Sequence, residues 1–310
     1  MEVKFANSYF NELLDIKNNY APFFEKLKAE IEEDDLAELF NYFLNNVRDS
    51  FITKVVIVEI NKLNNKKNLQ SLLDFILTKK DSDYDEGLNV CDLTSLKILC
   101  VKTISNYKDR SAVVPILYCL NNKSENYKFR LAAAEALGKI GDNSAVDSLI
   151  KIVKDEDEKS VYVRESAAHA LGILGDMRAV EPFLDILEGK KSFLDKFTFL
   201  KEKVLEALGH LNVDGNKRAK DAFLNALQDS CAQVRLNALE SISNANVVDL
   251  FDDVKELLND EDDDVAKAAV VVLYNLSDRR ILDEILDNRK LKQCCRDQAQ
   301  EIIEEYEEDE

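Results

Sequence analysis

The side chains able to do acid–base, nucleophilic or metal chemistry here are two histidines, six cysteines and a large excess of carboxylates. His169 and His210 belong to no HExxH motif and to no His-Glu pair, so neither a zinc-peptidase site nor a paired iron site is written in the sequence. His169 shares a polar helical position with Glu135, Glu206 and Glu240, which places it toward solvent. His210 follows Gly209 at a helix end, where a cation meets the negative end of the helix dipole. Cys91, Cys100, Cys119, Cys231, Cys294 and Cys295 form no CxxC pair and no metal-ligand spacing. Cys100 and Cys119 sit in apolar helical settings and read as core thiols. Spacing alone builds no Cys-His nucleophile pair, although folding could bring Cys231 toward His210. The chain has no GxSxG, P-loop or GxGxxG, and Gly138 to Gly141 belong to a helix turn. The acidic runs Asp155–Glu158 and Asp260–Asp264 lack the glycine and ligand order of a calcium loop. They read as solvated loops, with loose divalent-cation binding as the alternative. No catalytic, cofactor or metal residue is assigned, and enzyme activity is left open.

Composition narrows the class. The formal net charge of −19 repels phosphate backbones, and the basic pairs Lys66-Lys67 and Lys190-Lys191 are short, so nucleic acid is not expected as a partner. No apolar run reaches the roughly 18 residues of a membrane span. No basic segment followed by an apolar stretch opens the chain, so no signal peptide is expected. The expectation is a cytoplasmic protein with reduced thiols. Apolar residues make up 46% of the chain, with only 8 glycines and 3 prolines, which favours helix throughout. The β-branched run Val55–Val58 has flanks of helical pattern.

The elements that must carry any site are repeats. Arg130 to Lys154 (RLAAAEALGKIGDNSAVDSLIKIVK) returns at Arg164 to Glu188 (RESAAHALGILGDMRAVEPFLDILE). Each copy reads as helix, tight turn, helix, and such a unit buries its apolar face only by stacking on others. One apolar column runs through Ile60, Ile104, Leu137, Leu171, Leu208, Ile242 and Leu273. The turn supplies a second, independent column of helix N-caps: Asn65, Asp109, Asp142, Asp176, Asn216, Asn246 and Asp278. Gly141 and Gly175 precede the cap, where a left-handed residue ends the first helix. Gly138, Gly172 and Gly209 follow the apolar column and permit close helix approach. Pro115 and Pro182 fall in the first turns of second helices, where a missing N–H costs least.

RLAAAEALGKIGD and RESAAHALGILGDMRAVEPFLDIL resemble HEAT-like repeats of the phycobilisome-lyase type. The resemblance is sharp over 127–188, recognisable over 93–126 and 201–285, and weak before that. It implies an all-α, right-handed α-solenoid: an N-terminal helical cap over 1–49, about seven hairpins over 50–288, and a capping helix with an acidic tail over 289–310. It also implies that Arg130, Arg164 and Arg235, one column at the start of the first helix, bond the turn acid of a neighbouring unit, here Asp142 or Asp176. The HEAT-repeat iron hydroxylases and HEAT-like DNA glycosylases are not matched, because their His-Glu pairs and basic groove are missing.

The resemblance specifies fold better than function. It places second helices along the concave face, with Asp147, Lys151, Glu181, Asp185, Asp221 and Asn225 as polar positions open to a partner. Two breaks in the period add candidates: Thr78 to Asp92 with Tyr84, and Gly189 to Leu200 with Phe193, Phe197 and Phe199. The phenylalanines either pack inside or make an exposed aromatic contact. The function expected is a non-enzymatic scaffold or adaptor that binds a protein with a basic or mixed-charge segment, without cofactor. The alternative implied by the resemblance is a phycobilin lyase or isomerase subunit, or a phycobiliprotein chaperone, with the tetrapyrrole as substrate.

Overall fold

The computed structural model describes residues 3–16, 19–80, 83–84, 92–188, 198–213 and 215–308. Among them every regular element is helical. They form two compact units, 1–148 and 149–310. The first holds α1 (Val3–Asp15), α2 (Ala21–Glu30), α3 (Glu33–Asn46), α4 (Ser50–Leu63), α5 (Leu69–Thr78), α6 (Leu93–Asn106), α7 (Val113–Asn121) and α8 (Tyr127–Ile140). The boundary falls within α9 (Val146–Lys154). The second unit continues with α10 (Val161–Leu174), α11 (Val180–Glu188), α12 (Thr198–Gly209), α13 (Lys217–Leu227), α14 (Ala232–Asn244), α15 (Phe251–Glu256), α16 (Asp263–Leu276), α17 (Arg280–Asp287) and α18 (Gln293–Glu308).

The first three helices are held by aromatic packing. Phe23, Phe24, Phe40 and Phe43 are buried, and Phe24 meets Phe23 and Phe40 edge-on at 5.3 and 5.6 Å. Pro22 stands in the first turn of α2, and Glu33, Asp34 and Asp35 occupy the first turn of α3, where carboxylates favour the positive end of the dipole. Val55–Val58 is helical within α4.

From α4 onward helices come in pairs, the hairpins of an α-solenoid. All seven residues of the apolar column are fully buried. First helices stack on first helices: α4 on α6 on α8 in the first unit, and α10, α12, α14, α16 and α18 in turn in the second. The glycines set how closely. A Cβ on Gly172 would lie 2.9 Å from the Ala207 Cα, and one on Gly209 would lie 2.7 Å from the Ser241 Cα.

The turn columns hold with one correction. Asn65, Asp109, Asp142 and Asp176 each accept from the N–H two residues on and open a 3₁₀ turn that leads into the second helix. Asn216 accepts from the Ala219 N–H and Asp278 from the Arg280 N–H. Asn246 is not a cap. Its φ of 52° is left-handed, as in Gly141 (80°), Gly175 (66°) and Gly215 (68°), each of which stands just before its cap. Asn246 therefore ends the first helix, and the cap position passes to Val247, which makes no side-chain cap bond. Asparagine is one of the few residues other than glycine that tolerates this conformation, so the same residue type satisfied both readings of the sequence.

These caps give a first prediction. The Asp176 carboxyl is held at about 2 by hydrogen bonds from the Arg178 side chain and backbone. Asp176→Ala is expected to cost about 1 kcal/mol in a urea titration at pH 7. Because the folded pKa lies below the unfolded value, that cost persists above about pH 4 and shrinks as the pH falls toward 2.

Candidate functional site: the exposed face of the second helices

Counted from its cap, each second helix turns its fifth, ninth and twelfth positions to one face, since residues three and four apart share a helix side. All six partner positions predicted on the second helices, Asp147, Lys151, Glu181, Asp185, Asp221 and Asn225, are exposed there. They are not equally available. In the second unit Arg218 of α13 reaches back to α11, where Nη1 meets Glu181, Nη2 meets Asp185 Oδ1 at 3.2 Å, and Nη2 and Nε bond Glu188 at 2.8 and 3.0 Å. Lys154 reaches Asp185 from the other side at 3.1 Å. The hydrogen bonds from Lys154 and Arg218 hold the Asp185 carboxyl below the usual carboxylate range, and Arg218 does the same for Glu188. Further along, Lys220 pairs with Asp249 at 3.4 Å and Lys255 with Glu284 at 3.3 Å. Each pair is exposed and worth little alone; together they join successive second helices and neutralise part of the acidic face.

The arginine column does a different job from the one expected. Arg130 Nε donates to the Leu120 carbonyl at 2.7 Å, and Arg164 Nε to that of Val153 at 2.9 Å. Both carbonyls close the preceding second helix. Arg235 forms a bidentate pair with Asp260, at 2.9 Å from Nε and 2.7 Å from Nη2, and donates from Nη1 to the Asp229 carbonyl. The column also includes Lys97, which meets Glu125 at 2.9 Å and lies 5.5 Å over the Phe129 ring. Glu125 and Asp260 both belong to loops between hairpins. The expectation of a neighbouring turn acid fails on geometry: the arginine column stands in the first turn of the first helices, and the turns of the stacked hairpins lie at the other end of those helices, about 15 Å away along the axis. Two turn acids take cations from the preceding hairpin, with Lys66 on Asp109 at 3.4 Å and Arg110 on Asp142 at 3.2 Å, and Asp176 and Asp278 take theirs from Arg178 and Arg280 of their own turns.

The other candidates scatter. His169 is partly exposed, with Nδ1 3.5 Å from Glu206 Oε1, and His210 is exposed. Cys100 and Cys119 are buried as expected, and burial raises the Cys119 thiol to about 11. Cys231 is exposed at the start of α14. Tyr84 is half-buried, with its hydroxyl turned in beside Thr53 of α4, and burial pushes its pKa well above the usual tyrosine range. Phe199 is exposed at the start of α12, 69% open, while Phe193 and Phe197 lie outside the described residues. A cleft of about 430 Å³ in the first unit is bordered by Asn61, Lys102, Glu135 and Lys139. Another of about 390 Å³ in the second is bordered by Tyr274, Asp278, Leu282 and Ile303. Neither is lined by a cysteine or histidine. Among the described residues no group of three or more His, Cys, Asp or Glu could hold a metal ion, and no helix is long and apolar enough to cross a membrane.

Three features of the face escaped the sequence reading. Arg218 gave no signal, because the position two after the cap holds Lys67, Ser111, Ser144 and Arg178 in other hairpins. Val114 and Tyr118 were legible: they fill the fifth and ninth positions of α7, where the neighbouring hairpins carry Gln70 with Asp74 and Asp147 with Lys151, and are 75% and 67% exposed. The third is how the charge is distributed. Residues 221–310 hold 24 acidic and 9 basic side chains, against 36 and 32 in the first 220.

No curated protein matches the chain significantly in sequence. Among solved structures, YibA from E. coli is 15% identical with a TM-score of 0.50, covering 91% of this chain and 96% of that one. The complex of CpcE and CpcF of phycocyanin lyase from Nostoc is 16% identical at a TM-score of 0.46, covering 84% and 91%. Human deoxyhypusine hydroxylase in complex with glycerol is 15% identical at 0.37, covering 91% and 99%. These are likenesses of fold. The sequence pattern of HEAT repeats matches residues 92–161, 120–197 and 195–275, more than half of the chain. With its buried apolar column, capped turns and stacked first helices, the chain belongs to the HEAT-repeat family.

Proposed function

We propose that this chain is a non-enzymatic scaffold that binds a protein partner along its second helices and takes a basic or mixed-charge segment there. One observation carries the reading: the backbone repeats while the exposed chemistry does not. The fifth and ninth positions hold Val and Tyr in α7, Asp and Lys in α9, Glu and Asp in α11, and Asp and Asn in α13. A regular frame with variable side chains selects a partner by its sequence and charge. The acidic excess of residues 221–310 supports a basic partner by steering and complementarity.

The ion pairs of α11 decide which carboxylates to test. Glu181 and Asp185 are engaged by Arg218, so reversing them disturbs the fold as well as the surface. Asp221, Asp252 and Asp283 are exposed on α13, α15 and α17 and suit the test better. The full chain, tagged and cross-linked in its host, is expected to capture a stoichiometric protein. Replacing Asp221, Asp252 and Asp283 together by lysine should abolish that capture at temperatures where circular dichroism shows the variant still folded, since lysine in the first turns of α15 and α17 lowers the melting temperature by itself. Undiminished capture would place the partner on another surface. No stoichiometric partner, together with a shifted visible band on adding phycocyanobilin, would put the lyase reading in its place.

A further inference from the structure

Two adjacent cysteines, Cys294 and Cys295, stand in the first turn of α18. Both are free thiols, and their surroundings differ. Cys295 is fully buried, with Sγ 3.3 Å from the Leu258 carbonyl and 3.8 Å from that of Ala266. Its S–H thus ties α18 to the 3₁₀ turn that closes the preceding second helix and to α16. Burial, with Cys294 beside it, raises its pKa to about 11, so it stays a thiol. Cys294 is half-buried. It lies within hydrogen-bonding reach of both the Asp263 carboxylate and the Cys295 sulfur. Lys292 meets the same carboxylate at 2.8 Å. Core packing accounts for Cys295, as it does for Cys100 and Cys119, but not for Cys294. An accessible thiol, a carboxylate able to take its proton, a cation beside them and a second thiol in reach are the parts of a redox-sensing cysteine with its resolving partner.

We propose that Cys294 and Cys295 form a peroxide-responsive dithiol whose oxidation opens the first turn of the last helix. The inference goes beyond the scaffold reading and does not depend on it. In the first step the Cys294 sulfur attacks one oxygen of hydrogen peroxide. The S–O bond forms and the O–O bond breaks, the sulfur gives up two electrons, and the thiol proton, passed through Asp263, leaves with the second oxygen as water. In the second step the Cys295 sulfur attacks that of Cys294. The S–S bond forms, the S–O bond breaks, and the hydroxyl departs as water with the Cys295 proton. The product does not fit a helical backbone: adjacent Cα atoms are about 3.8 Å apart, whereas a disulfide ordinarily spans about 4.4–6.8 Å. The ring closes as the first turn of α18 unwinds, and the proton that bonded the Leu258 carbonyl is gone. Strain of this kind makes a disulfide easy to reduce, which suits a reversible response.

The test uses the full chain, reduced and then exposed to hydrogen peroxide until the exposed Cys231 is oxidised, with tryptic peptides read by mass. The peptide 293–296, which carries both thiols, is expected to lose two hydrogens and to regain them with dithiothreitol. Cys295→Ser should stop at the sulfenic acid, which dimedone traps on Cys294, and Cys294→Ser should leave Cys295 unreacted. In the oxidised wild type the N–H groups of Asp297, Gln298 and Ala299, which bond first-turn carbonyls in an α-helix, should exchange with deuterium about tenfold faster. A peptide 293–296 that stays unchanged while Cys231 is oxidised overturns the proposal. So does a disulfide from Cys294 to Cys231 or to a second copy of the chain. Formation of the adjacent pair with no change in exchange overturns the opening of α18. These readings come from the wild-type protein, so they decide the matter even if a serine variant fails to fold.

Discussion

Arg235→Met is expected to lower stability by about 3–5 kcal/mol. The pair it breaks is buried: the Arg235 and Asp260 side chains are 6% and 7% exposed and bonded through two parallel contacts. Removing the guanidinium leaves a carboxylate that water cannot reach and frees the Asp229 carbonyl that Arg235 also holds. The pair itself need not be strongly stabilising, because removing both charges from water costs much of what their attraction returns. Arg235→Met with Asp260→Leu should therefore recover most of the loss, and a double-mutant cycle in urea measures the coupling. The pH dependence gives a second check. Burial raises the Asp260 pKa, but the Arg235 hydrogen bond and the Asp262 backbone N–H more than offset it, so the carboxyl sits below its ordinary value. A depressed carboxyl contributes stability above the unfolded value of about 4 and loses it as the pH falls through the folded one. In Arg235→Met burial is opposed only by the Asp262 N–H and the charge of Lys292, and the pKa rises. The gap between variant and wild type should then already narrow on going from pH 7 to 5. A gap constant over that range would mean that Asp260 is not the group left exposed to the cost.

Why the hairpins were legible and their links were not comes down to what each depends on. Caps, left-handed turn residues and the buried column are set by local backbone needs, and those recur with the repeat. Asp142 caps its helix for a reason contained within three residues. Even Asn246 fits this rule, since it supplies the turn's left-handed residue where the sequence suggested a cap. The ion pairs depend instead on which ends of two helices lie together. Arg130, Arg164 and Arg235 stand at the start of the first helix, beside the loops between hairpins. The turn acids stand at its other end, beside Lys66, Arg110 and the arginines of their own turns. A sequence column records that an arginine recurs, but not which loop it faces.

The candidate site divides in the same way. Exposure of the fifth and ninth positions follows from helical period once the caps are aligned. That alignment also marks Val114 and Tyr118, because apolar residues there cannot be explained by the core. Arg218 could not be found so, since its three carboxylate partners lie 30 to 37 residues earlier and are joined by the packing of α13 on α11. Tyr84 shows the opposite error. A tyrosine in an acidic linker suggests an exposed contact, and its burial against α4 depends on a path for the linker that no local signal fixes.

Gly209→Val is expected to cost about 3 kcal/mol, and it tests whether the stacking of first helices sets the spacing of the face. At Gly209 the obstacle is backbone: a Cβ there would meet the Ser241 Cα at 2.7 Å and its Cβ at 2.9 Å. Ser241 cannot yield easily, because it is fixed in α14 and its hydroxyl bonds the Leu205 carbonyl of α12 at 2.9 Å. Overpacking of this kind typically costs 1–3 kcal/mol, and valine adds two methyl groups to a contact already closed at one carbon. Adding Ser241→Gly should restore only part of the loss, since the Cα remains. Full restoration would show that the clash is with the side chain alone. Gly175→Ala is the contrasting case: its φ of 66° strains alanine by about 1–2 kcal/mol, yet nothing lies within 4 Å of the new carbon. The two should therefore separate by readout. Gly175→Ala lowers the melting temperature and leaves partner capture intact below it. Gly209→Val forces α12 and α14 apart, and with them the preceding second helices, α11 and α13, that they pack against. If that spacing positions the side chains that meet the partner, capture falls at temperatures where the variant is still folded. Capture that tracks only the folded fraction would mean that the partner reads single helices and not the array.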